Sequence, residues 1–307
     1  MMIDSLVPIL AGTLAAATPL IFAGLGELVA EKSGVINLGV EGMMLIGAVA
    51  GFAAALSWGT SAGLLFGAFA GALAALPFAF LTLSLGANQS ASGLATTIFG
   101  IGLSAFIGQF YVSHALPGMK ALAIPGLAHI PLLGPVLFNQ PPVVYLAFVI
   151  YGALAWMLAR TRWGLVLRAV GESPEAAHAI GYPVLAIRYG AVCFGGAMAG
   201  LGGAYLSTIY TPLWVENMVA GRGWIAVALV VFAAWKPTRL MFGACLFGGM
   251  TILQLQAQGF GLAVPSQLLS AVPYLATILV LMAISRDRKK LQLNLPASLG
   301  KPFVPGE

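Results

Sequence analysis

Residues Arg160 to Arg188 read RTRWGLVLRAVGESPEAAHAIGYPVLAIR and hold six of the chain's 23 charged residues. The stretch lies between two long apolar blocks. Ser173 can accept a hydrogen bond from a first-turn N–H, Pro174 fits the first helical position, and Glu175 suits the positive helix end. Ala176, Ala177 and Ala179 favour helix and keep its profile narrow. Gly181 can take the left-handed conformation that ends a helix, and Pro183 prevents continuation. The spacing predicts a charged helix of about two turns. Alone it would be marginal, so docking against a partner on the aqueous side would stabilise it. The competing reading is an ordinary solvated loop with a capped turn.

The apolar blocks on either side set the solvent. The chain has 307 residues, 60% of them hydrophobic and 7% charged. A soluble domain carries about 25% charged residues, so a soluble surface is excluded and the bilayer takes its place. The fold class expected is an all-α polytopic membrane protein, one transmembrane domain over 1–307. About nine spans are expected, near 6–28, 38–56, 62–83, 94–112, 143–159, 189–210, 223–235, 240–257 and 267–284. The count runs from eight to ten, because the span at 223–235 is short and breaks in the first two would change it. Gly195, Gly196 and Gly200 provide a small-residue face for close helix approach. Six prolines in 113–142 argue against a span there.

Basic residues orient the chain. Lys32, the group Arg160, Arg162, Arg168 and Arg188, the pair Lys236 and Arg239, and the tail residues Arg286, Arg288, Lys289 and Lys290 fall on one side of a nine-span layout. By the positive-inside rule that side is cytoplasmic, with the N-terminus outside. The net charge of +5 therefore reflects topology and gives no sign of nucleic-acid binding. The N-terminus lacks a basic n-region, so its first span is expected to be retained. The tail 285–307, with Pro296, Pro302 and Pro305, reads as a flexible cytoplasmic end. Cys193 and Cys245 read as small buried hydrophobes, and His114, His129 and His178 suggest no metal site. No paired catalytic carboxylates, nucleophile motif or phosphate loop is evident, so enzymatic chemistry is not expected.

Four polar stretches interrupt the apolar blocks. Gly26 to Gly47 reads GELVAEKSGVINLGVEGMMLIG. Glu31 and Lys32 form a turn there, and Asn37, Gly39 and Glu41 enter the next span. A carboxylate at that depth must pair, protonate or sit at a helix start, which leaves bracing, pathway lining and proton coupling open for Glu41. Trp214 to Lys236 reads WVENMVAGRGWIAVALVVFAAWK, where Gly221 and Gly223 indicate a tight break. Asn217, Arg222 and Trp224 are candidates for lining a pathway, while a Glu216–Arg222 pair at the membrane edge is the plainer alternative. Asn88 and Gln89, in GANQSASG, either line the inner pathway or belong to a helix cap through Ser92. Gln254 and Gln258 share a helical face, which suits interhelical hydrogen bonding or solute contact.

Taken in order, these stretches resemble the permeases of ABC importers in the branched-chain amino acid, simple sugar and nucleoside group, over roughly residues 15–285. GLVLRAVGESPEAAHAIGY is similar to that family's coupling loop. The resemblance implies that Arg168, Gly171, Glu172, Pro174, Glu175, Ala176, Ala177 and Gly181 occupy the positions that seat in a groove of the cytoplasmic ATPase. EGMM and ENMVAGRGWIAVA resemble the nucleoside-type members, with Trp224 where Phe is more usual. The family then implies a nucleoside or nucleobase as solute, with simple sugars or branched-chain amino acids as alternatives. It also implies a bacterial inner-membrane location, a second permease (a related chain or a copy), an extracytoplasmic solute-binding protein and a lipid surround. No Walker A motif is present, so ATP and Mg belong on a separate ATPase and this chain holds no cofactor. A stand-alone ion-coupled transporter is the rival reading.

Overall fold

The computed structural model describes residues 2–259, 271–272, 275 and 294–303. Its helices are α1 (Met2–Lys32), α2 (Val40–Trp58), α3 (Thr60–Ala79), α4 (Gln89–Gly108), α5 (Leu133–Leu137), α6 (Pro142–Arg160), α7 (Arg162–Glu172), α8 (Pro174–Ala179), α9 (Val184–Tyr205), α10 (Arg222–Phe232) and α11 (Pro237–Gly259). Single π-helical turns, Phe80–Ser84 and Leu206–Tyr210, extend α3 and α9. Strands β1 (Leu122–Ala123) and β2 (Asn139–Gln140) pair antiparallel.

Among the described residues, seven helices are long and apolar enough to cross a bilayer: α1, α2, α3, α4, α6, α9 and α11. This differs from the nine expected, for two reasons. The apolar run at 223–235 forms α10, whose 11 residues reach only about 16 Å, half of a hydrocarbon core of about 30 Å. Of the run at 267–284 only residues 271, 272 and 275 are among the described residues. Boundaries also move outward. Helix α4 starts at Gln89, where the Asn88 cap adds a polar first turn, and α9 starts at Val184, directly after Pro183.

Helices α1, α2, α3 and α9 form the centre. Helices α2, α3 and α9 meet through glycine. A Cβ on Gly71 would strike the Gly196 carbonyl oxygen and lie 2.7 Å from Gly200 Cα. The small-residue face read around Gly196 and Gly200 is thus a backbone-to-backbone contact. Pro19, inside α1, has no N–H to offer the Ala15 carbonyl one turn back. The Tyr205 hydroxyl donates to that carbonyl instead, at 3.1 Å. Leu65, Phe69, Phe99 and Phe106 are exposed on the outside of α3 and α4, as a hydrocarbon solvent permits.

The two ends of the bundle differ. One carries Lys32, Arg160, Arg162, Arg168, Arg188 and Lys236, with α7 and α8. The other is covered by 112–141, which contains β1, β2 and α5 and no span. An isolated bridge between Ala115 and Leu213 joins it to the chain leaving α9.

Candidate functional site

The chain reverses at Ser33–Gly34 after α1. Gly34 has φ +94°, and a Cβ there would press on Ser298 Oγ and Arg188 Nη2. Residues 35–39 then re-enter the bundle without helical hydrogen bonds. Backbone in that position must find other partners, and α1 and α4 supply them. The Ile36 N–H donates to Gln89 Oε1 at 2.8 Å and the Asn37 N–H to Glu27 Oε1 at 2.9 Å. Thr97 Oγ1 donates to the Leu38 carbonyl at 2.9 Å. Asn37 Oδ1 accepts the Gly39 N–H at 2.9 Å, which turns the chain into α2. Asn37 and Gln89 are therefore buried braces of the re-entrant segment.

Glu41 lies in the first turn of α2 and is 3% exposed. Its Oε1 accepts the Gly221 N–H at 2.7 Å and its Oε2 the Gly223 N–H at 2.6 Å. These are orphan donors at the start of α10. The carboxyl group thus sits at the positive end of a half-helix and satisfies two of its backbone donors. Gly221 is left-handed at φ +83°, and Asn217 and Ala220 are also at positive φ. Arg222 Nη1 donates to the Met218 and Val219 carbonyls at 3.2 and 3.1 Å. It ties its own loop together.

The seven pathway candidates therefore divide. Asn37, Glu41 and Gln89 are buried and brace backbone. Asn88, Asn217 and Trp224 are exposed, and Arg222 is half-buried. The cap of α4 is Asn88, whose Oδ1 accepts the Ala91 N–H at 3.0 Å. It is not Ser92, because α4 begins earlier than its apolar run suggested. Three further buried groups escaped the sequence reading. Glu31 Oε2 accepts the Trp235 indole N–H. Glu27 anchors Asn37, and Arg188 is wholly buried. The Glu27–Glu31 spacing of four residues, one helical turn, was the available signal.

At the basic end, Thr161 caps α7 by accepting the Gly164 N–H at 3.2 Å. Helix α7 buries Gly164, Leu167, Val170 and Gly171, and exposes Arg162, Trp163, Arg168 and Glu172. Ser173 Oγ accepts the Ala176 N–H at 3.3 Å and Pro174 opens α8. Gly181, at φ +92°, closes it by donating to the His178 carbonyl, and the Tyr182 N–H returns to the Ala177 carbonyl. Pro174 and Ala177 face inward, while Glu175, Ala176, His178, Ala179 and Ile180 face out. Of the candidates in this loop, Gly171, Pro174 and Ala177 therefore pack against the chain itself.

The described part of the tail, 294–303, departs from the flexible end expected there. Residues 294–303 pack against α7, α8 and the 33–36 turn. Between Pro296 and Pro302 the chain forms turns, with the Leu299 N–H on the Pro296 carbonyl and the Lys301 N–H on the Ser298 carbonyl, and its N–H groups at Ser298 and Gly300 donate to the Gly171 and Gly34 carbonyls. Among the described residues no cluster of His, Cys, Asp and Glu could hold a metal ion, and both cysteines are free.

Residues 9–282 match the family model of the branched-chain amino acid transport system permease component. The chain is 41% identical to a putative glucose ABC transporter permease protein of Haloferax volcanii, over 95% of each chain. It is 33% identical to a nucleoside ABC transporter permease protein of Lactococcus lactis, over 91% of this chain and 92% of the relative. It is 32% identical to a guanosine ABC transporter permease protein of Bacillus subtilis, over 97% of each. This chain, a multi-span bundle with a re-entrant segment and a half-length helix, belongs to the ABC transporter permease family of branched-chain amino acid, sugar and nucleoside systems.

Proposed function

We propose that this chain forms the solute pathway of an ABC importer for nucleosides or nucleobases, driven through α8. The observation that carries the reading is the outward face of α8. A short helix capped at both ends turns Glu175, Ala176, His178 and Ala179 outward, and among the described residues their side chains meet only the Ser173 hydroxyl, beside Glu175, and the Phe303 ring, beside His178. A cytoplasmic ATPase would seat there, with ATP and Mg on that subunit. The clustering of Lys and Arg at this end supports a cytoplasmic assignment for it, with the N-terminus outside. A second permease would close the pathway, and a solute-binding protein would dock on the 112–141 side. The exposed Asn88, Asn217 and Trp224 are then the polar and aromatic groups for a solute. Polar side chains facing lipid are costly, which favours a water-filled or protein-lined surface around them. Two nucleoside-type relatives support that solute, and the relative in Haloferax supports a monosaccharide as the second reading.

The test is uptake in proteoliposomes carrying this chain, its ATPase, its second permease and its binding protein, with labelled nucleosides and sugars in competition. Uptake is expected to require ATP and the binding protein, and to be abolished by Ala176→Arg while the chain still inserts. Uptake by this chain alone under an ion gradient, unaffected by Ala176→Arg, would overturn the reading.

A further inference from the structure

Arg188, near the start of α9, is the largest wholly buried side chain among the described residues. Its acceptors are dipoles from two separate segments. Nε donates to the Ser33 carbonyl at 3.0 Å, Nη2 to Ser298 Oγ at 2.9 Å and Nη1 to the Lys301 carbonyl at 3.4 Å. A guanidinium is costly to bury on such partners, so its position there calls for a reason beyond packing. Ser298 passes the connection on. Its Oγ and its N–H both donate to the Gly171 carbonyl, at 2.7 and 3.0 Å, two residues before the Ser173 cap of α8. Gly300 donates to the Gly34 carbonyl at 3.1 Å. Phe303 packs with Val170, Ala177 and Val184 on the inward face of α8 and meets the His178 ring edge-on at 5.8 Å.

Residues 294–303 thus fill the space between α8 and the turn at Ser33–Gly34. Beyond that turn, Ile36 and Asn37 are held by Gln89 and Glu27, and Glu41 holds the start of α10. Such a chain of packed groups and hydrogen bonds can carry a displacement from one end to the other. We infer that the segment 294–303 is the link that passes movement of α8 to the re-entrant segment and so to α10, with Arg188 and Ser298 as its positioning residues. This rests on the reading of α8 as the driven helix. The tail is then a working part of the transporter, and the buried guanidinium is its pivot.

The complete assembly in proteoliposomes tests this by solute taken up per ATP hydrolysed, a ratio that a merely structural defect leaves unchanged. In Ser298→Ala the ratio is expected to fall about tenfold, as the loss of two such hydrogen bonds implies, while hydrolysis continues. An unchanged ratio overturns the inference. So does a loss of uptake that follows hydrolysis and chain yield in proportion. If Ser298→Ala does not accumulate, Phe303→Ala, which leaves the polar network whole, decides by the same ratio. Ala176→Arg separates the two levels. If it leaves uptake intact, the reading of α8 has failed. If it abolishes uptake while Ser298→Ala and Phe303→Ala leave the ratio unchanged, the tail inference alone has failed.

Discussion

Glu41 Oε2 and the Gly223 N–H, 182 residues apart in sequence, meet at 2.6 Å. That bond and its partner to Gly221 fix the start of a half-helix inside the bundle. Replacing Glu41 by Gln keeps one acceptor oxygen. One of the two backbone N–H groups then loses its acceptor, at a cost of about 1–3 kcal/mol, so Glu41→Gln should unfold at lower temperature than wild type in detergent. Gly223→Ala should do worse, because its Cβ would overlap the Glu41 backbone. Equal melting of Glu41→Gln and wild type would remove Glu41 as a brace.

Glu27 makes a subtler case. Its Oε1 accepts the Asn37 N–H, while Oε2 is buried and meets no donor among the described residues. An amide at this position supplies both an acceptor for Asn37 and a donor of its own. Glu27→Gln is therefore expected to match or exceed wild type in thermal stability. Glu27→Leu strands the Asn37 N–H, at a cost of about 1–3 kcal/mol. A Gln variant as unstable as the Leu variant would show that the carboxylate itself is needed.

What could be read in the sequence was local. The long apolar runs were visible because hydropathy is a property of contiguous residues. Helix α8 was visible because Ser173, Pro174 and Gly181 act within a few residues of one another. The partners of Glu41 were hidden, since they are backbone N–H groups on a distant segment and leave no side-chain signature. Arg188 read as a marker of loop charge because its acceptors are carbonyls and a serine in a proline-containing tail, which carries no periodic signal. The half-length of α10 was hinted at by its short run, but its role needed the carboxylate at its start. Ala177 and Gly171 read as docking positions, and only the fold shows them turned toward Phe303 and Lys32.

The packing of α3 on α9 predicts a sharp contrast between two glycines. Gly71 meets the backbone of Gly196 and Gly200, whereas a Cβ on Gly102 in α4 meets nothing within 4 Å. Gly71→Ala should force the helices apart and destabilise by about 1–3 kcal/mol. Gly102→Ala should be neutral or slightly stabilising, by up to about 1 kcal/mol. Thermal unfolding of the two variants side by side checks this, and equal behaviour would mean that α3 and α9 are not in backbone contact.

Helix α8 is stabilised from two directions, and amide exchange can separate them. Ser173 caps its start, and Phe303 packs under its inward face. Loss of an N-cap costs about 1 kcal/mol, which is a factor of about five in local opening. Ser173→Ala should therefore speed exchange at Ala177–Ile180 about fivefold and leave residues 35–39 unchanged, because the cap acts only on the first turn. Phe303→Ala should speed exchange at α8 as well, by removing an apolar contact shared with Val170 and Val184. If Ser173→Ala leaves α8 unaffected and Phe303→Ala melts it, the tail rather than the cap holds the helix in place. Its outward face would then depend on residues more than 120 positions further along the chain.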